Sequence, residues 1–395
     1  VHILRFSIPD VASGTLRALV RRFPASCNTI PPCRVRLFGP GKPGTLFGAA
    51  GLPGPVVPAL AILPSESSSM AVPSSLPDPI VLGTRGSELA LWQANHVRSK
   101  LEAHGQRVEI EKISTRGDEV QDVPISEIGD EAVFTQELDR ALLRGDIHVA
   151  VHSLKDLPSR IPEGLTLAAV SDREVPLDAF VAHPSFDGSL SDLPDGATLA
   201  TASLRRKAQV RAWRSDINVV PVRGNVDTRL EKLDDSTWAG IILATAGLLR
   251  MGLSARIRER IAPDRIVPAV GQGALGIVCA SSHQPICDLL HQVVHHDVTG
   301  TCTRAERAFL RRTGGGCQVP MGAWARMQED GRIALDACVA SLDGSEAYRD
   351  HGTFAPDAAE EEGTALAETL LDRGAAAVLD EILGERNQER SPFRP

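Results

Sequence analysis

The sequence predicts an α/β protein with largely parallel sheets, followed by a small α+β unit. Three observations carry this. Strand and helix periods alternate from Pro79 to about Arg250. Several of the helices open just after a strand, on a serine or beside an arginine. After Gly300 the alternation gives way to a helix, a glycine-rich turn and a strand of period two.

The elements follow in order. Residues 80–83 read as a short buried strand, and Ser87 is a candidate N-cap. The next helix has Ala90, Ala94, Val97 and Leu101 on one face and stops at Gly105. Val108 and Ile110 alternate as a strand. Residues 137–144 are helical and end at Gly145. Ile147, Val149 and Val151 form the following strand. A second unit repeats the rhythm, with strands at 198–201, 218–222 and 241–245. Its helices fall at 204–213, capped by Ser203, at 226–233 and at 246–250. In the last unit a helix covers 304–312. Ile333, Leu335, Ala337 and Val339 alternate, and a final helix covers about 358–372.

Composition narrows the function. The chain has 395 residues, 43% of them hydrophobic and 23% charged, as in ordinary globular proteins. A net charge of −8 argues against a nucleic-acid partner, which needs a basic footprint. The longest apolar stretch, 52–63, is short and broken by prolines, so no membrane span is expected. Seven cysteines at irregular spacing, without a CxxC pair, signal neither a metal site nor a redox dithiol, and suit a reducing compartment. Residues 1–77 differ from the rest. They hold 12 prolines, seven basic residues and only two acidic ones. They read as a disordered leader, as an organellar transit peptide, or as residues ahead of a natural start at Met70.

Charged side chains cluster where strands end. His152-Ser153-Leu154-Lys155-Asp156-Leu157-Pro158 follows one strand and, alone, is also an ordinary surface turn. Thr201-Ala202-Ser203-Leu204-Arg205-Arg206 places two arginines in the first turn of a helix. There they oppose the helix dipole unless an anion lies beside them. A solvated helix end is the plainer reading. Arg223 and Arg229 follow a third strand, and Arg85 follows the first. This recurrence in an acidic body points to a cleft for a polyanion at the carboxyl ends of the strands. Arginine suits carboxylates because its planar fork pairs with them bidentately. Cys317, after Gly314, Gly315 and Gly316, reads as a small buried residue or as a thiol on a loop able to reach a cleft.

Together these segments resemble the hydroxymethylbilane synthases, or porphobilinogen deaminases, in order and spacing. They are Thr84-Arg85-Gly86-Ser87, Ser114-Thr115-Arg116-Gly117-Asp118, the 152–158 turn and 203–206. The series continues with 223–229, Ala269-Val270-Gly271-Gln272-Gly273-Ala274, and 315–320. The resemblance covers about Pro79 to Leu383. It implies two periplasmic-binding-protein-like α/β domains, 78–173 with 270–296 and 174–269, joined by chain crossovers. A small α+β domain, 297–384, and a tail, 385–395, complete the expectation. By position, Cys317 would hold a dipyrromethane cofactor through a thioether, and Asp156 would be the catalytic carboxylate. Ser153, Lys155, Ser203, Arg205, Arg206 and Arg229 match cofactor-binding positions. Arg85, Ser87, Arg223 and Arg250 match positions that bind the substrate, porphobilinogen. The implied reaction joins four porphobilinogens on the primer and needs no metal; the implied molecule is a monomer. The cytoplasm is the expected location, or an organelle if 1–77 is a transit peptide. One loop departs from the pattern: Glu131 and Gln136 stand where the family usually carries lysines. The rival reading is a non-catalytic two-lobed binder of an anionic small molecule, which would need neither Cys317 nor a third domain.

Overall fold

The computed structural model describes residues 75–115, 135–316 and 319–389. Among the features above, residues 1–74, Arg116 to Asp118, the 128–134 part of the lysine-poor loop with Glu131, Cys317 and residues 390–395 lie outside the described residues.

The first lobe begins where apolar alternation begins. Strand β1 (Ile80–Thr84) buries Ile80 and Leu82 and runs parallel to β2 (Val108–Lys112), Ile80 facing Val108. Helix α1 (Glu88–Ala103) joins them. Its Ser87 cap accepts from the Ala90 N–H at 3.3 Å, and Ala94, Val97 and Leu101 are buried against the sheet. Helix α2 (Gln136–Arg144) ends on left-handed Gly145 and leads into β3 (Val149–Ser153), which pairs parallel with β1. Ile147, read from the sequence as strand, lies just ahead of β3 and is buried. Strand β4 (Leu165–Val170) closes this first run of the chain.

The second lobe contains β5 (Asp178–Ala182), β6 (Thr198–Ala200), α3 (Leu204–Trp213), β7 (Asn218–Val220) and α4 (Val226–Asp234). It continues through β8 (Gly240–Ala244), α5 (Thr245–Arg250) and β9 (Glu259–Arg260). The chain then returns to the first sheet as β10 (Leu275–Ala280), followed by α6 (Gln284–Val294). The two sheets share one pattern, β2-β1-β3-β10-β4 and β7-β6-β8-β5-β9. In each, the fourth strand is antiparallel to both neighbours and enters after the chain has crossed from the other lobe. These are the two α/β lobes expected, joined by chain crossovers. Apolar clusters fill the faces of each sheet, around Leu82 and Ile277, Leu138 and Leu154, Phe180 and Leu199, and Ile241 and Leu243.

The third unit stacks α7 (Asp297–Arg312) and α8 (Ala359–Leu370) on an antiparallel sheet of β11 (Met321–Met327), β12 (Ile333–Ala340) and β13 (Ala347–Phe354). Helix α7 starts at Asp297, a full two turns before the position read from the sequence. Thr299, Gly300 and Thr301 are weak helix formers, but the His296 side chain caps them, accepting from the Thr299 N–H at 3.2 Å. The helices approach closely because Gly363 has no side chain; a Cβ there would lie 2.2 Å from the Ala305 carbonyl oxygen. Helix α9 (Ala376–Glu389) runs past residue 385, where a tail was expected. Among the described residues no helix is long and apolar enough to cross a membrane.

Candidate active site

Parallel strands deliver the candidate residues. In the first lobe β1 leads to Arg85 and Ser87, and β3 to Ser153, Lys155 and Asp156 on the short turn Leu154–Asp156. In the second, β6 leads to Ser203, Arg205 and Arg206, β7 to Arg223 and Arg229, and β8 to Arg250. All stand at or beyond carboxyl strand ends, where open α/β sheets bind ligands.

The serines order the backbone. Ser87 caps α1 and Ser203 caps α3, accepting from the Arg206 N–H at 3.4 Å. Ser153 Oγ takes a 2.9 Å hydrogen bond from Nε2 of Gln93, a buried polar residue on the sheet-facing side of α1. Leu154 is 1% exposed and its N–H donates to the Ala274 carbonyl at 3.0 Å, which anchors the turn carrying Lys155 and Asp156. Arg85, Ser87, Gln93, His152, Ser153 and Asp156 line one cavity of about 70 Å³. A larger hollow of about 410 Å³, lined by Glu111, Arg140 and Arg144 among others, shares no residue with it.

Burial and like charge shape the electrostatics. Burial brings the Lys155 ammonium down to about 8. Asp156 and Asp178 oppose that fall, and Arg206 and Arg205 add to it. Burial and the neighbouring charges of Arg206 and Arg223 lower Arg229 to about 10, against the pull of Asp156. His152 is brought down to about 4 by burial and by Arg85, so it is neutral near pH 7. Its buried Nε2 has no hydrogen-bond partner among the described residues.

Arg205 and Arg206 correct one reading. Read as an open helix end awaiting an external anion, both are instead buried around a carboxylate of this chain, Asp178, itself 0% exposed. Arg205 grips both Asp178 oxygens, at 2.7 and 3.2 Å, and donates to the Val267 carbonyl at 2.7 Å. Arg206 donates to Asp178 from Nε at 2.9 Å and to the Ile242 carbonyl at 3.0 Å. Burial opposes ionisation of Asp178, but the two guanidiniums prevail and hold its carboxyl below the ordinary range. Asp178 was missed because it is remote in sequence from the arginines. The available signal was an acidic residue opening the apolar strand Asp178-Ala179-Phe180-Val181.

Arg250 stands apart from this group. Its guanidinium lies over the Trp92 ring, 5.4 Å from the centroid, and donates to the Gly273 carbonyl at 2.7 Å. It therefore joins α5 to α1 and to the segment by which the chain crosses back. Cys317 lies outside the described residues, but its flanks are fixed. The Val319 N–H donates to the Gly316 carbonyl at 3.2 Å, and a Cβ on Gly315 would lie 2.3 Å from Met321 Cε.

Among the described residues, Lys155, Arg205, Arg206 and Arg229 outnumber the carboxylates that act on them, Asp156 and Asp178. That surplus fits a multiply carboxylated group. The fold and charge pattern are those of a two-lobed α/β protein suited to a small polyanion at its strand ends. Residues 80–288 match the family model described as porphobilinogen deaminase, dipyromethane cofactor binding domain, and residues 300–372 match porphobilinogen deaminase, C-terminal domain. The porphobilinogen deaminase of Syntrophomonas wolfei subsp. wolfei is 47% identical over 302 residues, covering 76% of this chain and 97% of that protein. That of Desulforudis audaxviator is 47% identical over 305 residues, covering 77% and 97%. The chain belongs to the porphobilinogen deaminase family. Among solved structures, a nutrient binding protein from Burkholderia cenocepacia bound to methionine aligns with TM-score 0.36 and 14% identity, over 53% of this chain and 89% of that one. The methionine binding protein MetQ aligns with TM-score 0.36 and 14% identity, over 54% and 89%.

Proposed function

We propose that this chain is a hydroxymethylbilane synthase. It deaminates porphobilinogen, condenses four molecules head to tail on a dipyrromethane primer, and releases hydroxymethylbilane by hydrolysis. The observation that carries the reading is the cationic surplus around Asp156 in a chain of the porphobilinogen deaminase family. A non-catalytic anion binder is not favoured, since the curated relatives that match nearly end to end are named deaminases.

Porphobilinogen carries two carboxylates and an aminomethyl group, and loss of ammonia leaves a cationic carbon conjugated with its pyrrole. Asp156, on a turn anchored by Leu154, is the fixed anion for that cation. It accepts from pyrrole N–H groups and assists proton transfer. Lys155, Ser153, Ser203 and Arg229 hold the carboxylates of the dipyrromethane, Arg205 and Arg206, paired with Asp178, add positive charge beside Lys155, and Cys317 anchors the group as a thioether. When bound, that group supplies a pyrrole with a nucleophilic free α-carbon. Arg85 and Ser87, which line the cavity with Asp156, receive the incoming carboxylates together with Arg223 and Arg250. Each added ring brings two more carboxylates, so a cationic lining serves every round.

We take the domains as 78–173 with 270–296, 174–269 and 297–384; the strand membership of the three sheets supports this division, with helix α9 carrying the third unit on past 384. We take the molecule to act as a monomer in the cytoplasm, or in an organelle if residues 1–77 direct it there, without a nucleic-acid partner.

The test is the intact mass of the purified chain before and after porphobilinogen is added. The expected result is a mass excess of two linked pyrroles, absent in Cys317→Ala, followed by stepwise additions and formation of the linear tetrapyrrole. A chain that stays unmodified and leaves porphobilinogen unconsumed would overturn the reading.

A further inference from the structure

Two buried polar residues with no assigned role lie where the chain crosses between lobes. Gln272 is 1% exposed and sits between Gly271 and Gly273, whose φ angles of 71° and 92° only glycine adopts readily. A Cβ on Gly273 would also lie 2.3 Å from the Glu174 carbonyl oxygen. The Gln272 backbone is therefore tightly placed, and its side chain reaches in two directions. Its amide nitrogen donates to the Pro176 carbonyl at 2.7 Å and to Asp178 Oδ1 at 3.0 Å. Its amide oxygen accepts from Lys155 Nζ at 3.5 Å. The orientation of the amide follows from its partners, since only the NH₂ end can serve a carbonyl and a carboxylate.

We infer that Gln272 and Asp178 are positioning residues: Asp178 gathers Arg205 and Arg206, and Gln272 ties that cluster to Lys155 across the crossing. The cationic groups of the two lobes are thereby held as one set. Asp178 keeps two adjacent guanidiniums together at a helix N-terminus, where they would otherwise repel each other and oppose the dipole. The amide between Asp178 and Lys155 relays the carboxylate's hold without bringing ammonium and carboxylate into direct contact. Among the described residues, the charged groups that act on Lys155 are Asp156 beside it, Asp178 on β5, and Arg205 and Arg206 on α3, all members of this set. The inference rests on the cleft being the porphobilinogen site only for its kinetic consequence; the coupling itself does not depend on that.

The experiment is competitive labelling of Lys155 in the full chain with acetic anhydride across pH, read by peptide mass. In the wild type the midpoint is expected near 8. Gln272→Met removes the acceptor, so the charged form of Lys155 is disfavoured and the midpoint falls. Asp178→Asn removes an anion and also lowers it. The double variant is expected to show less than the sum of the two, because one amide carries both effects. In porphobilinogen turnover, Gln272→Met is expected to raise KM about tenfold with a smaller change in kcat, as for about 1.4 kcal/mol of lost carboxylate binding. A purely structural role would lower thermal stability and leave the labelling midpoint in place. A folded Gln272→Met with the wild-type midpoint would overturn the inference. If Asp178→Asn does not fold, Gln272→Met alone decides the matter. If the wild type fails to consume porphobilinogen, the functional reading fails while the labelling shifts still decide the coupling.

Discussion

Asp156 ends the turn Leu154–Asp156, and its charge acts on Lys155 in its own lobe and on Arg229 in the other. A carboxylate so placed can serve a cation formed anywhere along that line. Asp156→Asn keeps the shape and removes the charge. Turnover should fall by about a hundredfold or more, as when a preorganised electrostatic group is lost. The melting temperature should stay near wild type, because the turn is held by Leu154. Full turnover in the folded variant would remove Asp156 from the chemistry. His152, four residues earlier in the same strand-and-turn segment, offers a second check at this scale. The unfolded chain takes up a proton near the ordinary value of 6.5, whereas burial and Arg85 keep the folded chain from doing so until about 4. The folded pKa is depressed, so the unfolded state binds more protons between these values. Stability is therefore lost as pH falls from 6.5 to 4, by roughly 3 kcal/mol at the acid end. His152→Gln should flatten that part of the stability-against-pH curve, measured by urea unfolding; an unchanged slope would mean that another group governs acid unfolding.

The elements most legible in the sequence are those whose signals are local. Ser87, Gly105 and Gly145 bound α1 and α2 where capping chemistry requires, and Ser203 caps α3. The strand that ends in Ser153 and leads to Lys155 showed itself by apolar alternation. What was illegible depends on distance along the chain. Strands β5 and β10 occupy equivalent positions in the two sheets, yet neither announces which sheet it joins, because that is decided by the crossings on either side. The start of α7 was hidden by Thr299, Gly300 and Thr301, which the helix accommodates because Cys302, Ala305 and Phe309 pack into the third core. The site divides in the same way. Arg205 and Arg206 were visible as an excess of positive charge, but the anion between them enters from β5, and the amide that joins it to Lys155 enters from the second crossing. Loop residues announce a ligand by composition; their partners inside the protein appear only once the lobes are assembled.

At the scale of the molecule, the third unit is fastened to the crossings. Glu306 on α7 is 0% exposed and accepts from Arg173 of the first crossing at 2.5 Å, from the Gly271 N–H of the second at 2.7 Å, and from the Ala325 N–H of β11 at 2.8 Å. Arg173 also donates to the Gln272 carbonyl at 2.8 Å, so the segment bearing Gln272 is tied to the unit that carries Cys317. Arg307, the next residue, reaches the Pro158 and Ser159 carbonyls just beyond Asp156, at 2.9 and 3.2 Å. One side chain thus joins both chain crossings to the third sheet, and its neighbour joins that unit to the segment just after the Leu154–Asp156 turn. Removing Glu306 would leave Arg173 as a buried charge without its carboxylate and two buried N–H groups without their acceptor, a loss of about 3–5 kcal/mol. Because the third unit has its own apolar core around Phe309, Leu335 and Leu370, that loss should fall on the fastening before it falls on the unit. Glu306→Ala is therefore expected to split a single calorimetric unfolding transition into two, the earlier one accompanied by loss of turnover. Glu306→Gln keeps one acceptor oxygen and should split it less. A single transition shifted as a whole in Glu306→Ala would mean that the three units unfold as one regardless of this carboxylate, and that their cooperation lies in the apolar contacts between them.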